Sequence, residues 1–440
     1  MPALSYFSLF SLAVLAVVYF LLISEKVNKV IVAVLGGCLL ILVQVFQTAT
    51  HSSQENAFGF IAHNLDILGF VVGMMILVGI IRESGLFEAI AIWLVKKLKA
   101  NPFALLAILG YLTLGMTALF SNIPTILIIV PVALVLIKQL KLPYLPFIFI
   151  IVMMANLGGA MTPISDPTTY YQAKTVGLGF TEVLGNSGVI VLLLSVVSLA
   201  YTSFVFRKEL KAVKINESAV SLFRPVSAIQ NKTVLLKGTP ILVITILLMV
   251  SKEFIFRTFG ISLDNATITL SAAFFAMLMF HREPKKVFAE LIDWEIIFFF
   301  MGLFVVVGAL EFTQVIDVLA QLLIKLSGGS VQVLTALIAI GSAFLSTFID
   351  NVPYNITMVG AVQAMEKSGI WVYPLWWALN LGTSIGGAGS PIAAACNVIA
   401  FGQAEREGHH TPFVRYLKLA LPLVLINSLV ACGVLLLRYF

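Results

Sequence analysis

Charge is scarce in this chain of 440 residues, with Asp, Glu, Lys and Arg together making 11%, where a soluble domain carries roughly 25%. That deficit excludes an ordinary water-facing surface. Cysteine is nearly missing too: Cys38, Cys396 and Cys432 stand far apart in or beside apolar segments and form no CxxC pair, which argues against a disulfide framework. The five histidines (His51, His63, His281, His409 and His410) all fall in polar connections, so an intramembrane hydrolase pairing Ser with His lacks a base and no enzyme is expected. No GxxxxGK[ST] loop is present, which excludes direct ATP drive. The first apolar run, 4–23, has no basic residue ahead of it and no small-residue cleavage pattern behind it, so it reads as a retained helix rather than a signal peptide.

What the chain does have is apolar sequence. Hydrophobic residues make up 60% of it and the mean hydropathy is +1.05. Apolar runs of about 20 residues recur from end to end, which makes lipid the solvent. The net charge of +6 comes from basic clusters at the ends of apolar runs, a pattern of orientation signals rather than of nucleic-acid binding. The expected fold is an all-α polytopic membrane protein of about 10–12 membrane segments. Uninterrupted helices are expected near 4–23, 30–47, 67–82, 187–206, 234–251, 267–280, 294–312 and 416–437. Four regions, 103–137, 144–178, 331–364 and 373–403, are broken by Pro, Gly, Asn or Asp at depths where lipid-exposed backbone cannot stay unpaired. Trp371, Tyr373, Trp376 and Trp377 read as an interfacial aromatic belt.

The polar stretch 207–232 is rich in Lys and Arg and separates a first repeat, 1–206, from a second, 233–440. Threading the chain from an external N-terminus puts 21 Lys and Arg inside and 6 outside, so both termini are expected outside and the linker in the cytoplasm. An ungapped offset of 229 lays Gly73 on Gly302, Gly79 on Gly308, Asn122 on Asn351 and Pro124 on Pro353. An offset of 228 lays Gly158-Gly159-Ala160 on Gly386-Gly387-Ala388. In the charge-derived topology the two hairpins open to opposite sides, so the repeats are inverted, each with one hairpin and one discontinuous helix. Such a pairing points to a secondary transporter with its site near the midplane.

Two paired motifs carry the chemistry. Ser121-Asn122-Ile123-Pro124-Thr125 matches Asp350-Asn351-Val352-Pro353-Tyr354, and each fits a hairpin tip where Pro ends one helix and a short polar side chain caps the next. Asn156 to Thr169, with Gly158, Gly159, Thr162, Ser165 and Asp166, matches Ser384 to Asn397, the run holding Gly386, Gly387, Ser390 and Asn397. Glycines followed by Pro are expected to unwind the helix and free backbone groups for an ion. Asp166 and Asp350 are the most deeply placed carboxylates, and each aligns with an uncharged residue in the other repeat. A carboxylate in hydrocarbon costs at least about 2.5 kcal/mol unless paired or wet, so these two are the candidate coupling residues, with plain helix capping as the alternative. Cys396 invites a metalloid reading, against which stands its role as a small buried residue.

These motifs resemble the ion transporter superfamily, in particular the branch with arsenite-efflux permeases, NhaD-type sodium/proton antiporters and the melanosomal P protein, whose domain is citrate transporter-like. The resemblance rests on Ser121 to Thr125, Asn156 to Pro167, Phe348 to Pro353, Ile385 to Asn397 and Gly402 to Glu405. It implies a scaffold domain, often dimeric, and a transport domain moving against it like an elevator, with tips and broken helices binding ion and substrate together. Ser121 departs from the Asp of many arsenite-type relatives, and Gly386-Gly387-Ala388-Gly389-Ser390-Pro391 departs from the Gly-Gly-Asn-Gly-Thr of the P-protein-like group.

The expected function is proton-coupled efflux of arsenite, antimonite or a similar small oxyacid across a bacterial-type inner membrane. The rivals are a sodium/proton antiporter, a sodium-coupled di- or tricarboxylate transporter and, from another class, an ion channel. No cofactor is expected beyond H⁺ or Na⁺ as coupling ion. Sodium would sit at Ser121, Asn122, Asp350 and Asn351, with Thr125, Asn156, Gly158, Thr162, Ser165, Asp166, Gly386, Gly387, Ser390 and Asn397 completing the site. The expected partners are the lipid bilayer, the small solute and a second copy of the chain.

Overall fold

A computed structural model describes residues 6–24, 27–48, 51–97, 101–213 and 225–440. Lys26, Lys99, Lys214 and Arg224, four of the 21 basic residues assigned to the inside, lie outside them, as do 214–224 of the linker. The first repeat runs α1 (Tyr6–Ser24), α2 (Lys29–Leu42), α3 (Ser53–His63), α4 (Leu65–Arg82), α5 (Leu86–Lys97), α6 (Pro102–Phe120), α7 (Asn122–Leu140), α8 (Tyr144–Gly159), α9 (Pro167–Val176) and α10 (Phe180–Val205). After α11 (Arg207–Ala212) come α12 (Lys232–Phe259), α13 (Asn265–Met279), α14 (Pro284–Glu290), α15 (Trp294–Phe312), α16 (Val315–Leu326), α17 (Val331–Ser346), α18 (Asn351–Lys367), α19 (Tyr373–Gly387), α20 (Ala395–Arg406) and α21 (Phe413–Tyr439).

The offset read from isolated residues holds for whole helices. Moving the first repeat by 229 carries the starts of α4, α5, α6 and α7 onto the starts of α15, α16, α17 and α18. At 228 the start of α9 falls on that of α20. Seven described helices are long and apolar enough to cross a membrane, and an eighth span results if α16 and α17, bent by 116°, count as one. Among the shorter apolar helices are α1, α2, α8 and α13, α8 being half of a discontinuous helix. Polar caps set many helix starts: Asn28 accepts from Val30 N–H, Asn101 from Phe103 N–H and Ser330 from Val333 N–H. The helices α3, α5 and α16 were not expected from apolar runs. They are only 11 or 12 residues long, too short to span, and α3 is fixed instead by a capping box of Ser52 with Glu55.

Inversion shows in which ends meet. Where α7 ends, Lys138 pairs with Glu407 at 3.3 Å, and Tyr144 at the start of α8 donates to the carbonyl of His410 at 2.8 Å. These contacts gather on the side that carries α11. On the opposite side, Tyr373 at the start of α19 donates to Glu182 at 2.8 Å and Tyr439 donates to Asn186 at 2.6 Å. The first hairpin, α6 and α7, therefore opens to the linker side and the second, α17 and α18, to the other.

Helices α1 to α4 and α12 to α15 form a frame in which α2 packs on α15 and α4 on α13. These contacts are close because Gly302 leaves no room for a Cβ against Ala33 and Val34, nor Gly73 against Thr269 and Leu270. The hairpins, broken helices, α10 and α21 form a second group, joined to the frame through α5 and α16. The expected interfacial aromatic belt does not form as one surface. Trp371 is half-exposed, but Trp376 and Trp377 are 2% and 1% exposed, because they lie on a helix surrounded by protein on every side.

Candidate functional site

The tips of both hairpins line one cavity. Ser121 joins α6 to α7 with φ 77° and ψ 157°, a region that is essentially glycine's. Its counterpart Asp350 has φ −49° and caps α18, its Oδ1 accepting from Val352 N–H at 3.1 Å. Asn122 and Asn351 are the first residues of their helices. Thr125 donates to the Ser121 carbonyl at 2.8 Å, which commits its hydroxyl proton to holding the tip.

The discontinuous helices are α8 with α9 and α19 with α20. Expected unwinding at the glycines is not what the backbone does: helix runs through Gly158-Gly159 and Gly386-Gly387, and the breaks are 160–166 and 388–394. The glycines are needed for close approach. A Cβ on Gly158 would meet the Leu114 carbonyl and Thr117, and one on Gly386 would meet the equivalent Ala343 carbonyl and Ser346. Each break is laced shut by the half-helix that follows. Thr169 donates to the Gly159 carbonyl at 2.7 Å, and its counterpart Asn397 donates to the Gly387 carbonyl at 2.7 Å and to Ser390 at 2.8 Å. Ser165 Oγ lies within hydrogen-bond reach of the carbonyls of Gly159 and Thr162, which share its one proton, and Thr162 donates to the carbonyl of Ala118. Asn156 donates to Asn397 Oδ1 at 2.8 Å and joins the two broken helices.

Between tips and breaks lies a cavity of about 30 Å³ walled by Asn122, Asp166, Asp350, Asn351 and Cys396, and by Lys29, Ile296, Phe299 and Phe300 of the frame. That volume suits one water or one small ion. Asp166 is held by three donors: Thr168 N–H and Oγ1 on Oδ1, and Asn122 Nδ2 on Oδ2 at 2.5 Å. Asp350 has its single cap bond and an ion pair with Lys29, Nζ to Oδ2 3.8 Å. Of the expected site residues, Asn122, Asp166, Asp350 and Asn351 are brought together on this wall. Ser121, Thr125, Gly158, Thr162, Ser165 and Gly386 support it, while Asn156, Gly387, Ser390 and Asn397 stand behind it. Two oxygens there, Asn156 Oδ1 and Ser390 Oγ, are buried with no hydrogen-bond partner. No group of three His, Cys, Asp or Glu among the described residues could hold a metal ion.

Lys29 and Phe299 were missed because both read as ordinary ends of apolar runs. Asn380 reads as one polar residue inside an apolar run, although it donates to Ser187 and to the Ala160 carbonyl and accepts from Thr169. A buried Asn in an apolar helix was the available signal.

Two larger cavities flank the site. One of about 550 Å³ on the linker side is lined by Met75, Arg82, Leu127 and Arg406 and shares Ile123 with the small cavity. The other, about 760 Å³, lies on the opposite side against Asp66, Lys174, Glu182 and Asp264.

Inverted repeats, apolar spans and a polar site enclosed between hairpin tips and broken helices define an integral membrane transporter. The chain belongs to the citrate transporter family CitMHS, whose model matches residues 19–382. It is 28% identical over 437 residues to a 46 kDa membrane protein of Mycobacterium leprae, covering 98% of this chain and 99% of that one. Identity to the mouse P protein is 25% over 507 residues, covering 98% of this chain and 60% of the P protein. The crystal structure of the Alcanivorax borkumensis YdaH transporter shares the fold, with a TM-score of 0.62 at 16% identity over 93% of this chain and 98% of that one.

Proposed function

We propose that this transporter is cation-coupled, with Asp350 and Asp166 carrying the coupling proton, and that it exports a small oxyacid such as arsenite or antimonite. The observation that carries the reading is that two carboxylates from different repeats wall one cavity of about 30 Å³. Placed there, they repel each other when both are ionised, which favours taking up a proton or a cation. Such a volume suits a coupling cation rather than a di- or tricarboxylate, and the two carboxylates oppose a polyanion. The Cys396 thiol in the same wall suits a soft metalloid. A second reading, sodium/proton antiport, draws support from the unpartnered oxygens of Asn156 and Ser390, which are hard ligands.

In this reading the linker is cytoplasmic, the termini are external, the membrane is a bacterial-type inner membrane, and the frame supports a homodimer. The test is proteoliposomes under an imposed pH gradient, with arsenite, Na⁺ and citrate offered separately. Proton movement evoked by arsenite and lost in Asp350→Asn supports the first reading, and movement evoked by Na⁺ alone supports the second. Full gradient-driven flux in both Asp350→Asn and Asp166→Asn overturns the coupling role.

A further inference from the structure

Lys29 is the first residue of α2, in the frame, whereas Asp350 is the tip of the second hairpin. Their ion pair at 3.8 Å therefore crosses between the two groups of helices. The Asp350 end is largely buried and the Lys29 end partly so, with 13% and 32% of the side chains exposed. Phe299 places its ring 5.2 Å from the Lys29 ammonium, within cation–π range, and so steers the side chain toward the tip. The neighbouring frame carboxylate, Glu295, is engaged with Asn28 Nδ2 at 3.5 Å. Among the described residues, Asp350 is the carboxylate that Lys29 pairs with.

The level of this contact matters. Along α15 the cavity touches Ile296, Phe299 and Phe300, all in the first two turns of a helix that runs from 294 to 312, and on α2 it touches the first residue. Asp350 thus sits beside the linker-side ends of both frame helices, next to the cavity that opens on that side. A displacement of the second group toward the other side would carry Asp350 along α15 and away from Lys29, leaving a bare carboxylate against Phe304 and Val307.

We infer that Lys29 is a tethered counter-cation that occupies Asp350 when no transported ion does, and so holds the unloaded carrier on the linker side. A proton or metal cation arriving at Asp350 replaces Lys29 and releases the pair. Loaded carriers then move and bare ones do not, which is what strict coupling requires. This role rests on the reading of Asp350 as a coupling carboxylate, and it makes Lys29 a positioning residue rather than a ligand of the solute.

The test is a distance between the two groups, measured on the full chain in lipid nanodiscs without substrate. Cys38, the exposed native thiol, is replaced by Ser, and spin labels are placed on Gln139→Cys in the second group and Lys286→Cys in the frame. Wild type is expected to give one main distance, which Lys29→Arg keeps. Lys29→Met and Asp350→Asn should each add a second population of comparable size, and the double variant should add no more than either alone. In liposomes, Lys29→Met should raise substrate-independent proton leak at least about tenfold, and Lys29→Arg should restore tight coupling. A Lys29→Met distance distribution identical to wild type overturns the inference, even if Asp350→Asn abolishes coupled flux. A shifted distribution with unaltered coupling in Asp350→Asn leaves the latch standing and refutes the coupling role instead.

Discussion

Asn156 and Asn397, 241 positions apart, share a buried 2.8 Å hydrogen bond that joins the broken helix of one repeat to that of the other. Asn397 also closes its own break through the carbonyls of Gly387 and Ser390. Replacing Asn397 by Ala removes three buried hydrogen bonds at once, each worth about 0.5–1.5 kcal/mol, while Asn156 Nδ2 keeps the Val152 carbonyl and the Ser390 carbonyl keeps Ala393 N–H. Asn397→Ala is accordingly expected to lower the melting temperature of the detergent-solubilised protein markedly and to cut transport more than tenfold. Retention of wild-type melting would show that water replaces the side chain and that the bond is dispensable.

A separate prediction concerns the glycines. A Cβ on Gly386 would come within 2.4 Å of the Ala343 carbonyl, whereas one on Gly433 meets nothing within 4 Å. Because the obstacle is backbone, helices α17 and α19 must part, at a cost of about 1–3 kcal/mol or more. Gly386→Ala should therefore unfold at lower temperature than wild type, and Gly433→Ala should match it. Equal melting of both variants would remove the close-packing role.

Much of this was legible in the sequence, and the reason is symmetry. Two copies of Asn-x-Pro and of Gly-Gly-Ala at a nearly constant offset identified tips and broken helices together. What stayed hidden depended on distant contacts. Lys29 reads as an orientation charge until α2 is placed beside the second hairpin, and Asn380 reads as one polar residue in an apolar run until Thr169 and Ser187 face it. The glycines were found for the wrong reason: composition suggests unwinding, but a helix can keep its hydrogen bonds through glycine when a neighbour presses against it. Trp376 and Trp377 misled likewise, since a buried helix and an interfacial one share aromatic content.

Asymmetry at the tips yields another test. Ser121 holds φ 77° and ψ 157°, while Asp350, its counterpart, is unstrained at φ −49°. Strain of this kind costs about 1–3 kcal/mol, and glycine removes it. Ser121→Gly is expected to raise the melting temperature slightly and Ser121→Val to lower it, read by thermal unfolding in detergent. The opposite order would mean that the serine hydroxyl, not the backbone, governs the tip.

The two carboxylates should separate in their response to the same change. Asp166 accepts from Thr168 twice and from Asn122 Nδ2, so an amide in its place sets an NH₂ group against a donor. Among the described residues Asp350 accepts from Val352 N–H and faces Lys29, and asparagine caps a helix about as well as aspartate. Asp166→Asn is thus expected to lose both stability, by roughly 1.5–3 kcal/mol, and flux, whereas Asp350→Asn keeps most of its stability and loses coupled flux. Measuring melting temperature and gradient-driven transport on the same preparations decides this. Equal destabilisation of the two variants would make both residues structural caps and would transfer the coupling question to Lys29 and the asparagines around it.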